Sequence, residues 1–190
     1  MATRRPRQTF QLKIALKGAK PPIWRRVLVP SDIRLDRLHL VIQSTMGWFN
    51  CHLHQFIAYG AFFGTPDDEF GMDIQDETKI KLHDLLEMEK DSMIYEYDFG
   101  DGWEHKVTLE KVLPYDKSQA LPVCIKGKRA CPPEDCGGVW GYEGLLKALA
   151  DPADPEHEDM LEWLGGTFDA EAFDINAVNF ALSDQRTSER

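Results

Sequence analysis

The chain has 190 residues, with 32 acidic against 22 basic side chains and a formal net charge of −10; 43% of it is hydrophobic and 28% charged. This is the composition of a globular chain long enough to bury one core, well outside the range of disordered sequences. It excludes a helix across a bilayer, because no apolar run approaches the ~20 residues needed, and its charge balance disfavours sequence-independent binding to phosphate backbones.

The N-terminus is basic at Arg4, Arg5 and Arg7, but polar Gln8 and Thr9 follow and no apolar signal region appears. The paired arginines therefore do not read as an export signal, and a cytosolic location is expected. One domain is expected over 1–190, with flexible ends at 1–8 and 184–190. In a chain without an export signal, Cys51, Cys124, Cys131 and Cys136 point to thiols or a metal, not to a disulfide framework.

In chain order, Phe10, Leu12, Ile14 and Leu16 alternate with polar residues, which predicts a half-buried strand. A turn at 18–22 leads to a second strand over 23–29, closed by Pro30, so the opening reads as a hairpin. Leu35, Leu38, Val41, Ile42, Thr45 and Met46 recur at helical spacing, with Ser31 or Asp32 as a start signal and Gly47 as a stop. Residues 52–59 predict a third strand, giving a ββαβ opening of β-grasp type. Residues 64–79, rich in Gly, Asp and Glu, predict an exposed loop, and Leu82, Leu85, Leu86 and Met88 a short helix. The strongest hairpin signal follows: Met93, Tyr95, Tyr97 and Phe99 alternate, as do Trp103, His105, Val107 and Leu109, around Gly100-Asp101-Gly102. From Tyr142 onward apolar spacing predicts three helices, marked by Leu145 to Leu149, Met160 to Leu164 and Phe173 to Leu182, and then a polar tail. The class expected is α+β, a mixed or antiparallel sheet of about five or six strands with a C-terminal helical cluster.

Several stretches together resemble the plasmid pRiA4b ORF-3-like family. They are Lys20-Pro21-Pro22-Ile23-Trp24-Arg25-Arg26, Met46-Gly47-Trp48 with the 52–56 segment after it, the run from Tyr95 to His105, and the run from Arg129 to Gly138. The resemblance implies a family met in plasmids, microbial genomes and insertion elements, some members of which carry a resolvase-like name. No segment here reads as a recombinase nucleophile with its arginine cluster, and the resemblance transfers no catalytic residue.

Three constellations could carry chemistry. The first is a zinc site drawn from His52, His54, His105, Cys124, Cys131 and Cys136, since thiolates and imidazoles are the ligands zinc prefers. The Cys-x4-Cys spacing is loose for structural zinc, and cysteines are as readily small buried hydrophobes. His105 lies on an apolar strand face, where a hydrogen-bonded core histidine is the preferred reading. The second is an acidic group, Asp98, Asp101, Glu104, Glu134 and Asp135, able to hold a hard cation or act as acid and base, although hairpin tips are ordinarily polar. The third is an aromatic groove. Trp24, Trp48, Trp103, Trp140, Tyr95, Tyr97 and Tyr142 supply its rings, and Trp103, Asp101, Trp140 and Tyr142 would contact a ligand if the rings do not simply complete the core. The glycine run 137–141 lacks the Gly-Lys-Ser/Thr ending of a P-loop, and no Gly-x-Ser-x-Gly elbow is present. Cys131 or Cys136 could form a thiol–imidazole pair with His105 only if the fold joins them.

The function expected is a non-catalytic binding module for a protein or small molecule, reached through the 100–105 hairpin and the 131–142 loop. A metal-dependent enzyme using the histidines and the cysteine loop is the alternative. A DNA-transaction accessory is a second alternative, resting on the resemblance and weakened by the acidic balance. No membrane partner is expected.

Overall fold

A computed structural model of the chain describes residues 6–66 and 73–187. Its strands are β1 (Gln8–Leu16), β2 (Trp24–Pro30), β3 (His54–Ala58), β4 (Ala61–Gly64), β5 (Ile74–Asp76), β6 (Ser92–Tyr97), β7 (Trp103–Pro114) and β8 (Val123–Lys128). Its helices are α1 (Leu35–Met46), the single turn α2 (Leu82–Leu85), α3 (Gly138–Ala150), α4 (His157–Leu164), α5 (Ile175–Ala181) and α6 (Ser183–Thr187). The strands form one sheet in the order β5-β4-β3-β6-β7-β1-β2-β8. Only the β4–β5 pair among them is parallel. The class is therefore α+β with a mixed sheet, as the alternation predicts. The opening order ββαβ is present, and β3 is separated from β1 by β6 and β7.

The alternating positions explain the layers. Phe10, Leu12, Ile14 and Leu16 of β1, with Tyr95, Tyr97, Trp103, His105 and Val107 of the second hairpin, are all buried. They form one core with Leu35, Leu38, Val41 and Ile42 of α1 and with Tyr142 and Leu145 of α3. The intervening residues Lys13, Arg26, Lys106 and Lys126 share the opposite face, as their registers require.

Several features depart from the sequence reading. Among the described residues eight strands stand where five or six are expected, because β4 and β5 are too short to display a period of two, and β8 (Val-Cys-Ile-Lys-Gly-Lys) has no clean alternation across its bulge at Arg26/Val27. The segment 64–79 is not only loop: β5 and a 3-10 turn at Glu77–Lys79 occupy its end, while 67–72 lie outside the described residues. Helix α1 starts at Arg34 and not at Ser31 or Asp32. Its first N–H, that of Leu35, donates to the Ile80 carbonyl at 3.1 Å, so the strand-like neighbour does the work of a capping side chain. The predicted stop at Gly47 holds, with φ 86 and its N–H on the Gln43 carbonyl. The predicted strand over 52–59 is confined to β3, and α6 stands in the polar tail.

One buried charge ties these layers together. Arg25 of β2 points inward among apolar groups, and among the described residues no carboxylate pairs with it. Its Nε donates to the Thr45 carbonyl at 2.9 Å, an orphan acceptor in the last turn of α1. One terminal nitrogen donates to the Trp24 and Lys128 carbonyls, each at 3.0 Å. The guanidinium carbon lies 4.7 Å from the ring centre of Phe173. Loss of water around the group lowers its pKa, with the nearby Cys131 and Cys124 opposing. Replacing Arg25 with Met fills the space and strands three carbonyls, so it should cost about 2–4 kcal/mol in urea unfolding. Arg25→Lys should not restore the loss, because an ammonium on a flexible stem does not reproduce the planar fork. A cost below about 1 kcal/mol for Arg25→Met would show that these carbonyls find other donors.

Candidate functional site

Three loops meet at one end of the sheet: 47–53 between α1 and β3, 98–102 between β6 and β7, and 129–137 between β8 and α3. Hydrogen bonds between loops fix their meeting. The Asp98 N–H donates to the Leu53 carbonyl at 2.9 Å, and the Phe49 N–H to Glu134 Oε2 at 3.0 Å. The Gly137 N–H donates to Asp101 Oδ2 at 3.1 Å. A Cβ on Gly138, whose φ is +68, would run into the Asp101 carbonyl oxygen, so glycine at this position is what lets the hairpin tip sit against the start of α3.

An aromatic wedge supports the loops from below. Trp48 donates through Nε1 to the Pro132 carbonyl at 2.9 Å, stacks on Tyr97 at 5.1 Å, and presents an edge contact to His105 at 5.2 Å. The Tyr97 hydroxyl donates to Glu134 Oε1 at 2.5 Å and accepts from the Cys51 N–H at 2.9 Å. Desolvation, then the Glu134 carboxylate, push the Tyr97 phenol above its usual range, so it stays protonated.

A closed ring of hydrogen bonds holds the first loop. Gln43 Nε2 donates to the Tyr95 hydroxyl at 2.9 Å, and that hydroxyl lies 2.8 Å from His39 Nδ1. His39 Nε2 lies 2.7 Å from Asn50 Oδ1, and the Asn50 N–H donates to Gln43 Oε1 at 3.0 Å. The main-chain N–H of Asn50 can only donate, which sets the direction of the whole ring. His39 therefore accepts at Nδ1 from Tyr95 and donates from Nε2, the tautomer of a neutral imidazole. Burial, then the ring of His54 stacked 3.5 Å away, push the His39 pKa down to about 4.

Within this loop cluster the half-buried His52 and buried Asp98 meet the exposed Asp135. His52 Nε2 lies 3.2 Å from Asp135 Oδ1 and 3.8 Å from Asp98 Oδ2. Beside them an open groove of about 410 Å³ is lined by Trp48, Phe49, Cys51, Pro132, Glu134 and Trp163, with Asp135 on its edge. Phe49 is 81% exposed and Trp163 48%, both unusual for large apolar rings.

The residues singled out from sequence are dispersed. His52 and His54, expected on one face, part company, because His52 precedes β3 and the strand alternation does not govern it. His54 stacks on His39 and reaches Glu77 Oε2 at 3.0 Å. His105 is a fully buried core residue, as its alternation predicts; its Nδ1–H donates to the Trp103 carbonyl at 3.1 Å, leaving Nε2 without a partner. Cys124 is buried and its thiol donates to the Lys126 carbonyl at 3.6 Å. Burial pushes the Cys136 thiol up to about 12 and raises Cys131 as well, which keeps both as thiols. Among the described residues, His52, Asp98 and Asp135 form the group of three ligating side chains whose atoms converge within 4.8 Å; His54, His105 and the three cysteines are not gathered with them. Of the four ligand contacts expected, Trp103 and Tyr142 are buried in the core, and Asp101 is spent on Gly137. Trp140, 84% exposed, lines a second groove of about 360 Å³ with Lys17, Lys20, Glu104 and Glu143. Glu104 pairs with Lys17. The sequence reading misses Phe49, Trp163, and the ring through His39 and Gln43. A signal for the last exists, since two polar residues one turn apart interrupt the apolar stripe of α1.

This fold and its loop cluster identify the class. The model of the family described as plasmid pRiA4b ORF-3-like protein matches residues 8–177, and the chain belongs to that family. It is 41% identical to "Uncharacterized protein y4hQ" of Sinorhizobium fredii, over 92% of this chain and 90% of that one. It is also similar to the crystal structure titled protein of unknown function MM3350 from Methanosarcina mazei Go1. There the TM-score is 0.82 and the identity 41%, over 90% of this chain and 98% of that chain. No helix among the described residues is long and apolar enough to cross a membrane.

The two neutral core histidines make a prediction about acid. Burial pushes both His39 and His105 down to about 4, against an ordinary value of ~6.5. Between those values the unfolded chain binds more protons than the folded one. Stability from these groups is therefore full above ~6.5 and is lost as pH falls towards 4. Imidazole NMR at pH 5.5 should show both rings neutral, and the urea midpoint should fall steadily from pH 7 to 4.5. A ring of either residue that is mostly protonated at pH 5.5 would contradict this assignment.

Proposed function

We propose that the protein is a binding module, not a catalyst, and that it takes its ligand in the groove between Trp48, Phe49, Glu134 and Trp163 on the loop face. The observation that carries this reading is where the backbone is strained. Among the described residues, six that are not glycine have positive φ, and four of them, Asn50, Asp98, Arg129 and Asp135, lie in the three loops of this face. Such conformations cost about 1–3 kcal/mol each for some residues and persist where the surroundings enforce them. Here the enforcement is visible. Asn50 belongs to the closed ring, and Asp98 Oδ1 accepts from the Gly100 N–H at 3.0 Å. Arg129 is buried, with Nε on Glu171 Oε1 at 2.7 Å and a terminal nitrogen on the Pro21 carbonyl at 2.8 Å.

The groove offers exposed rings for apolar contact and carboxylates at its edge. Its ligand is accordingly amphipathic, with an apolar or aromatic body and a neutral or cationic head; a polyanion is disfavoured by Glu134 and Asp135 and by the charge of −10. Burial raises the Cys131 and Cys136 thiols and keeps them protonated, which supports binding over thiolate catalysis at this loop.

An NMR screen of aromatic fragments and short peptides tests the proposal. Amide shifts on binding should cluster at residues 47–53, 131–135 and 163–168, and Trp163→Ala should weaken the best fragment at least tenfold with the fold intact. Shifts that gather instead around Trp140, or fragment binding indifferent to Trp163→Ala, would overturn it.

A further inference from the structure

We infer that His52 Nε2, one oxygen of Asp98 and one oxygen of Asp135 form a site for a divalent first-row transition ion of the zinc type, at the edge of the groove. The distances fit such an ion. Two ligands each about 2.1 Å from a tetrahedral centre stand roughly 3.4 Å apart. His52 Nε2 is 3.2 Å from Asp135 Oδ1 and 3.8 Å from Asp98 Oδ2, and all three ligand atoms fall within 4.8 Å of one another.

The hydrogen bonding points the same way. His52 Nε2 is a buried nitrogen that makes no hydrogen bond: the Asp135 oxygen is close, but not placed along an N–H direction. Asp98 is only 8% exposed, and its two oxygens do different work. Oδ1 accepts from the Gly100 and Asp101 N–H groups at 3.0 and 3.4 Å, whereas Oδ2 accepts no hydrogen bond among the described residues and lies 3.8 Å from His52 Nε2. A buried imidazole nitrogen with no hydrogen-bond partner, and a carboxylate oxygen 3.8 Å from it, leave lone pairs facing one small space. A cation satisfies both at once. The amides on Oδ1 hold the carboxylate in orientation, which is the usual work of groups behind a metal ligand. Asp98 and Asp135 both have φ near +60, at 56 and 59, so the backbone delivers their side chains from conformations it would otherwise avoid.

The donor set selects the ion. An imidazole nitrogen is a poor ligand for Mg²⁺ or Ca²⁺, which take oxygen, while zinc and its neighbours accept nitrogen and carboxylate together. The cysteines take no part, in contrast to the cysteine-based zinc site that sequence alone suggests. Three protein ligands leave a fourth position of a tetrahedral ion to water or to a polar head of whatever lies in the groove.

Chelator-treated, untagged protein is titrated with ZnCl₂ by calorimetry, with MgCl₂ and CaCl₂ as comparators. One zinc per chain is expected, with at least tenfold weaker binding of Mg²⁺ and Ca²⁺. His52 and Asp135 are 29% and 69% exposed in their side chains, so His52→Ala and Asp135→Asn should fold normally; each should weaken zinc at least tenfold. Cys131→Ser/Cys136→Ser should leave it unchanged. As a readout independent of heat, Mn²⁺ should broaden the amide signals of residues 51–53, 98–101 and 134–136. No zinc binding at millimolar concentration, binding unaffected by both His52→Ala and Asp135→Asn, or binding lost in the cysteine variant would each overturn the site. Fragment binding in the groove is measured on the chelated protein, so either reading can fail without the other.

Discussion

Everything at the loop end of the molecule depends on how the Arg25 charge is accommodated. A guanidinium inside a protein is expensive unless its donors are occupied, and here the occupants are main-chain carbonyls in place of a counter-ion. Those carbonyls belong to Thr45, two residues before the loop that carries Trp48 and Phe49, and to Lys128, immediately before the loop that carries the cysteines. One side chain of β2 therefore sets where both loops leave the body of the protein. Phe173, against the other face of the guanidinium, brings the approach to α5 into the same arrangement.

Above that anchor, the precision passes to aromatic and polar side chains that hydrogen-bond to the loop backbone and to loop side chains. Trp48 holds Pro132, Tyr97 holds Cys51, and the Gln43–Tyr95–His39–Asn50 ring holds the loop between them. These side chains come from α1 and β6 or from the first residues beyond α1. The loops are thus positioned by regular elements rather than by their own packing, the arrangement that lets a surface site be exact in shape while lying on irregular chain.

The regular parts of this architecture were legible because they repeat. The period of two in β1, β6 and β7, the helical stripe of α1 with its glycine stop, and the burial of His105 all follow from spacing, since burial on one face is what spacing records. β5, three residues long, has too few positions to show any period. The site was less legible for a related reason. The sequence singles out His52 but pairs it with His54, a partner that only an uninterrupted strand would supply. Asp98 and Asp135 both stand out as acidic, yet they are 37 positions apart in the chain, and nothing local reports that the β6–β7 turn and the β8–α3 loop touch. The glycine at 138 was the one local clue to that contact, because its small size matters only where another backbone comes close.

The two rims of the sheet carry a consequence of their own. One rim is β5, too short to template a neighbour. The other is β8, which is bulged and bears Lys126 and Lys128, while the ring of Phe173 is pressed against Gly127. Bulges, lysines and brevity are the means by which open sheets avoid recruiting foreign strands. A guest that associates by lending its backbone to the sheet therefore finds no berth at either margin, and the molecule is guarded against stacking into fibrils through its own edges.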